Sequence, residues 1–336
     1  MKILIAHDGS QCSDKMLADL RNAGLPECAE VLVLAVADAL FDEHSLDSLE
    51  GIPAVGIYSL ASAAQQSRAL ILEAHAQVNK ASATLKGYFP SWDVRAEVAV
   101  GAPAFAILRK IEEWRPDFVA MGSHGRSVAG RLWFGSVSGK VLSNAHANFH
   151  IARGSHQAAA FGAPLRIVVA LDGSEESEAA FRTVLSRSWP KGTSIRLITA
   201  MDDRLRMAFL KPAAIRYWMK KDDKESTAWI PRMLDDHKKL IEKAGYTAYA
   251  EALEGDPKHV LIHQAQEWGA DCIFAGVRGL TGRERLILGS VSTALALHAH
   301  CPVEIVHRLP GEKFCCGKKT EEHRACLAND EGKWCY

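Results

Sequence analysis

Ile3-Leu4-Ile5-Ala6-His7-Asp8-Gly9-Ser10 decides the reading of this chain. A short apolar run without period-2 alternation ends abruptly on Asp-Gly-Ser. Such a run suits a parallel strand covered on both faces. The glycine permits a tight turn, and the serine caps a following helix. The pattern returns as Ile167-Val168-Val169-Ala170-Leu171-Asp172-Gly173-Ser174. One strand–turn–helix unit therefore opens each half of the chain.

The correspondence extends outward from these two turns. Gly101 and Pro103 match Gly255 and Pro257, and Glu113-Trp114 match Glu267-Trp268. Gly122, Gly125 and Gly135-Ser136-Val137-Ser138 match Gly276, Gly279 and Gly289-Ser290-Val291-Ser292. The offset is 164 at the first turn (172 − 8) and 154 afterwards (255 − 101), so the middle regions differ in length. At 336 residues the chain suits two domains. Each copy is large enough to bury its own core, which makes this duplication of a domain and not a solenoid.

Each copy alternates strand and helix. The first predicts strands at 2–6, 31–37, 94–100, 118–121 and 149–152, with helices at 10–23, near 59–87, at 103–114 and at 137–145. The second predicts strands at 166–171, 194–200, 247–253, 272–275 and 303–306. Strand–helix alternation with right-handed crossovers gives an open, Rossmann-like parallel sheet. The expected domains are 1–154 and 165–309, joined by a linker at 155–164 and followed by a cysteine-rich tail at 310–336. The edge strands 149–152 and 303–306 are expected to pair the repeats within the chain, with a homodimer as the other way to cover them.

Forty basic residues balance forty acidic ones. A phosphate-backbone binder carries a basic surplus, so nucleic acid is not expected as a partner. No stretch approaches the roughly 20 apolar residues of a membrane span, and no targeting segment is visible. A cytoplasmic protein is the expectation.

Open α/β sheets hold ligands beyond the carboxyl ends of their strands, where strand order reverses. Two features converge there in each repeat. Asp8 and Asp172 place carboxylates at a strand tip. Gly-x2-Gly-x9-Gly-Ser follows the fourth strand as Gly122, Gly125, Gly135, Ser136, and again as Gly276, Gly279, Gly289, Ser290. The early glycines let backbone pass close to a ligand, and the last Gly-Ser opens a helix whose free N–H groups suit phosphate. No Walker A lysine follows either Gly-Ser.

These residues resemble the universal stress protein family, in its ATP-binding branch, over nearly the whole chain to about Arg308. The resemblance implies a strand order of 3-2-1-4-5 and ATP (or ADP or AMP) held between strands 1 and 4, with magnesium as an optional companion. By matching position, Asp8 and Val36 are expected at the adenosine end. Met121, Gly122 and Gly125 then line the ribose and phosphate path, and Gly135, Ser136, Val137 and Ser138 hold the phosphates. The second set is Asp172, Ala200, Ala275, Gly276, Gly279, Gly289, Ser290, Val291 and Ser292. Ala200 replaces a larger residue and Val277 stands where the first repeat has Ser123. The implied function is a nucleotide-binding stress regulator acting through a protein partner, with slow hydrolysis or self-phosphorylation at most. An ATP-using enzyme and a scaffold with relic pockets are the alternatives.

Other residues stay open between two readings. His124 and Arg278 share a loop position and read as phosphate contacts or as solvated side chains; Arg126, Arg131 and Arg285 lie near the anion site or pair with surface carboxylates. Cys12, Cys28, Cys272 and Cys301 read as buried thiols, Cys12 also as a thiol with its pKa lowered in a first helical turn. The segment 202–231 mixes basic and aromatic residues, as a lid, a partner surface or a solvated loop; its counterpart at 39–59 is acidic and punctuated by glycine and proline. Cys315, Cys316, Cys326 and Cys335 with His323 form a metal or redox cluster or part of an inert extension.

Overall fold

A computed structural model describes residues 1–49, 58–125, 135–154, 159–202, 229–279 and 288–307. Strand β1 (Lys2–Ala6) is the predicted apolar run, and its three central residues are buried. It is followed by α1 (Gln11–Asp19), β2 (Glu30–Ala37), α2 (Glu43–Leu49), α3 (Tyr58–Tyr88) and β3 (Asp93–Val100). Then come α4 (Pro103–Trp114), β4 (Phe118–Gly122), α5 (Ser136–Asn144) and β5 (Asn148–Ala152). All pairings are parallel, in the order β3-β2-β1-β4-β5. Strand β1 thus has β2 on one side and β4 on the other, so strand order reverses there and opens a crevice at the carboxyl ends of the two strands.

The second repeat follows the same plan: β6 (Arg166–Ala170), α6 (Glu175–Ser186), β7 (Ser194–Met201), α7 (Trp229–Lys243) and β8 (Thr247–Glu254). It continues with α8 (Pro257–Trp268), β9 (Cys272–Gly276), α9 (Ser290–His298) and β10 (Val303–Val306). Its order is β8-β7-β6-β9-β10, again all parallel. The chain is an α/β protein of two tandem open sheets.

Each sheet is covered by amphipathic helices. On α3, Ile71, Ala74, Val78, Ala81 and Leu85 recur at helical spacing and are buried against Ile3, Ile5, Val31 and Val33. On α7, Ile230, Leu234, His237 and Ile241 form the matching stripe. His237 is tolerated there because Nε2 lies 2.7 Å from Glu178 Oε2 and Nδ1 lies 2.7 Å from the Met233 carbonyl. Burial works against the Glu178 carboxylate, but His237 and Arg182 together outweigh it and hold Glu178 below the usual range.

The structure differs from the sequence reading in three places. The first helix ends at Asp19 and tightens into a 3-10 turn, Leu20–Asn22, instead of running to 23. The acidic stretch after β2 contains a helix, α2, that its polar composition hid. Cys12 and Cys301 are buried as expected, but Cys28 is exposed and Cys272 half-buried. Within the expected linker, Arg21 stacks on Phe161 at 4.4 Å and Asn22 donates to the Ala159 carbonyl. The tail with its four cysteines and His323 lies outside the described residues, as do Arg126, Arg131, Arg285 and most of the 202–231 segment. Among the described residues, no helix is long and apolar enough to cross a membrane.

Candidate functional site

The turn after β1 is built by its own side chains. Gly9 takes φ +73°, a conformation other residues adopt only with strain. Asp8 Oδ1 accepts the Ser10 N–H at 3.0 Å, and Ser10 Oγ accepts the Ser13 N–H to cap α1. Burial tends to raise the Asp8 pKa, but hydrogen bonds from Ser10 and Ser13 outweigh it and keep the group anionic. Beside it, His7 Nδ1 accepts the Gly9 N–H at 3.2 Å, which puts the proton on Nε2, donating to Asp14 Oδ1 at 3.1 Å. Burial lowers the His7 pKa more than Asp14 raises it, so the ring is neutral near pH 7.

Helix α5 begins differently from α1. Its N-cap is Gly135, which has no side chain to offer, and the nearby Ser138 hydroxyl donates to the Gly122 carbonyl at 2.7 Å. Gly135 itself donates to the Ser123 carbonyl at 2.7 Å, which fixes the helix start against the end of β4. The first-turn N–H groups of α5 are thus left without a side-chain cap among the described residues, with the positive end of the helix dipole behind them.

These two starts border one cavity of about 340 Å³. Asp8, Val36, Met121, Gly122, Gly125, Gly135, Ser136, Val137 and Ser138 all line it. So does His124, whose Nδ1 lies 3.0 Å from Ser123 Oγ. A Cβ at Gly125 would stand 2.6 Å from Asp8 Oδ2, so any side chain here has to push the carboxylate aside. Cys12 lies beneath the site with its Sγ 3.6 Å from the Ala152 carbonyl.

Among the lining residues that escape the motifs are Asp38 just after β2, and Leu70, Glu73, Ala74 and Gln77 on α3. The rule that ligands gather at strand carboxyl ends reaches Asp38. The residues of α3 belong to a helix read from the sequence only as a core element. Their spacing of three and four marks a helix face, but nothing in one sequence says that the face borders a ligand.

The second repeat reproduces the frame. Asp172 Oδ1 accepts from Ser174 N–H at 3.0 Å and from its hydroxyl at 2.6 Å. Gly289 donates to the Val277 carbonyl at 2.8 Å, and Ser292 to the Gly276 carbonyl at 2.6 Å. Ser290 and Val291 open α9, again behind a glycine N-cap. A Cβ at Gly279 would collide with Asp172 Oδ2. Ala200 and Ala275 lie near the carboxyl ends of β7 and β9. Arg278, at the position of His124, pairs with Glu176 at 3.6 Å. Among the described residues, no group of three or more His, Cys, Asp and Glu side chains is arranged to hold a metal.

The family model for universal stress proteins matches residues 1–153 and again 165–307. The chain belongs to the universal stress protein family. A relative from Staphylococcus haemolyticus that carries the universal stress protein name is 30% identical over 142 residues, which is 42% of this chain and 82% of the relative. A universal stress protein from Archaeoglobus fulgidus shares the fold with a TM-score of 0.62 at 22% identity, over 92% of this chain and 98% of its own. A Pseudomonas aeruginosa structure of the same family name overlays 91% of this chain and 92% of its own at 13% identity, with a TM-score of 0.54. This universal stress protein is therefore a tandem member, with the family's domain present twice.

Proposed function

We propose that the first repeat binds an adenine nucleotide, ATP foremost, and that the chain acts as a nucleotide-responsive stress regulator. The reading rests on one observation. A single cavity joins a polar, apolar-walled end near β2 and α3 to the uncapped first turn of α5. A nucleotide has the same polarity: a flat base at one end, phosphates at the other. Val36, Leu70 and Ala74 offer apolar walls to a base, while Asp38 and Glu73 offer carboxylates. Carboxylates accept hydrogen bonds, so they suit the exocyclic amino group of adenine. The phosphates would meet the N–H groups of Ser136, Val137 and Ser138, which suit an anion.

Isothermal titration of the chain with ATP, ADP and AMP tests this. ATP is expected to bind, and Gly125→Val is expected to abolish binding by displacing Asp8. No binding of any adenine nucleotide at millimolar concentration would refute the reading.

A further inference from the structure

The two repeats share the turn and the helix start, but they differ in what the long helix sends toward the turn. The buried stripes of α3 and α7 align at one offset: Ala74, Val78, Ala81 and Leu85 against Ile230, Leu234, His237 and Ile241, each 156 apart. The same offset places Trp229 where the first repeat has Glu73, and Met233 where it has Gln77. Glu73 and Gln77 line the open cavity. Their counterparts do the opposite. Trp229 and Met233 are each only 1% exposed. A Cβ built on Gly173 would stand 2.8 and 2.9 Å from two carbons of the Trp229 ring and 3.7 Å from Met233 Sδ.

Gly173 is the turn glycine between Asp172 and Ser174, the equivalent of Gly9. Gly9 is exposed, whereas Gly173 is half-buried under the indole. The Trp229 side chain therefore bridges from α7 to the tip of β6. In the first repeat the corresponding gap, between α3 and the tip of β1, is cavity.

We infer that Trp229 is an internal occupant of the second repeat's base-binding space, so that the chain takes one nucleotide, in its first repeat. This rests on the nucleotide reading of that first site. An indole is a flat bicycle of about the size of a purine ring, so it fills such a space without leaving room for a second flat ring. The occupant is covalently part of the chain and competes at no translational cost, which a free nucleotide cannot match. The neighbouring residues agree: Leu171 and Met233 replace the polar His7 and Gln77 around the same space, which suits burial of an apolar ring.

Isothermal titration of the full chain with ATP decides it by stoichiometry. The wild type is expected to bind one equivalent, Gly125→Val none, and Trp229→Ala two. Trp229→Gln provides a second, polar opening of the same space. Two equivalents for the wild type would overturn the inference and leave the nucleotide reading standing. So would one equivalent that survives Gly125→Val, because the occupied site would then lie in the second repeat. Folded Trp229 variants that still bind one equivalent would also overturn it. If neither wild type nor variants bind, the nucleotide reading falls and the inference with it. Should the Trp229 variants not fold, the wild-type count and its loss in Gly125→Val still decide between one site and two.

Discussion

Asp19 closes α1 with one carboxylate oxygen buried and, among the described residues, without a hydrogen-bond partner. Burial raises its pKa to about 6, against partial relief from His150 and Lys15. The folded value stands above the ordinary 3.8, so this group favours the fold below about pH 4 and that advantage is lost as pH rises through 6. Asp19→Asn removes the loss. It is expected to stabilise the chain by on the order of 2–3 kcal/mol at pH 8, with the gain vanishing near pH 4, as measured by urea unfolding at both values. A second contrast lies in the paired glycines after the fourth strands. A Cβ at Gly276 would stand 2.5 Å from the backbone carbonyl carbon of Glu176, whereas at Gly122 it meets the Cys12 sulfur at 3.0 Å. Backbone cannot step aside and a side chain can. Gly276→Ala is therefore expected to cost about 1–3 kcal/mol, and Gly122→Ala clearly less, in the same assay. At this scale the glycines and Asp8 were legible in sequence, because special backbone geometry and strand-tip position leave motifs. Glu73 and Trp229 were not, since their roles depend on which way a helix faces.

Among the elements, the strands were readable to within a residue or two because both faces are covered and their apolar runs are uninterrupted. Helix α2 was not, being short and acidic, and the end of α1 was overrun because a 3-10 turn keeps the helical residue pattern for three more residues. The caps sort the helices by task. Ser10 and Ser174 hold the starts of α1 and α6, and replacing either by alanine is expected to cost about 1 kcal/mol of stability. Helices α5 and α9 start on glycine, with no side-chain cap to lose. The end of α6 is tied differently. Arg187 forks onto Glu304 of β10 at 2.7 and 2.6 Å, with both side chains buried and the guanidinium over the Phe274 ring. Nothing local in sequence joins residues 117 positions apart. Glu304→Ala removes the carboxylate onto which the buried guanidinium forks and is expected to cost about 3–5 kcal/mol in chemical denaturation.

For the molecule as a whole, duplication was legible from two constant offsets, and the family's domain indeed matches twice. Whether two signatures mean two working sites was not, because the signature residues fix backbone and the deciding side chain lies outside them. Ligand linkage gives a test on the intact chain: ATP at a hundred times its dissociation constant is expected to raise unfolding free energy by about 2.7 kcal/mol per site. Gly125→Val is expected to show no such increment in thermal or urea unfolding. The turn glycines carry a wider consequence. Gly9 at φ +73° and Gly173 at φ +79° are required by the chain's path, whatever lies beyond the strand tip. Purifying selection for foldability alone would therefore preserve this turn even in a copy without a ligand. After a gene duplication, such a copy can drift in its binding habits while its signature stays fixed, and a count of signatures then records ancestry more faithfully than occupancy.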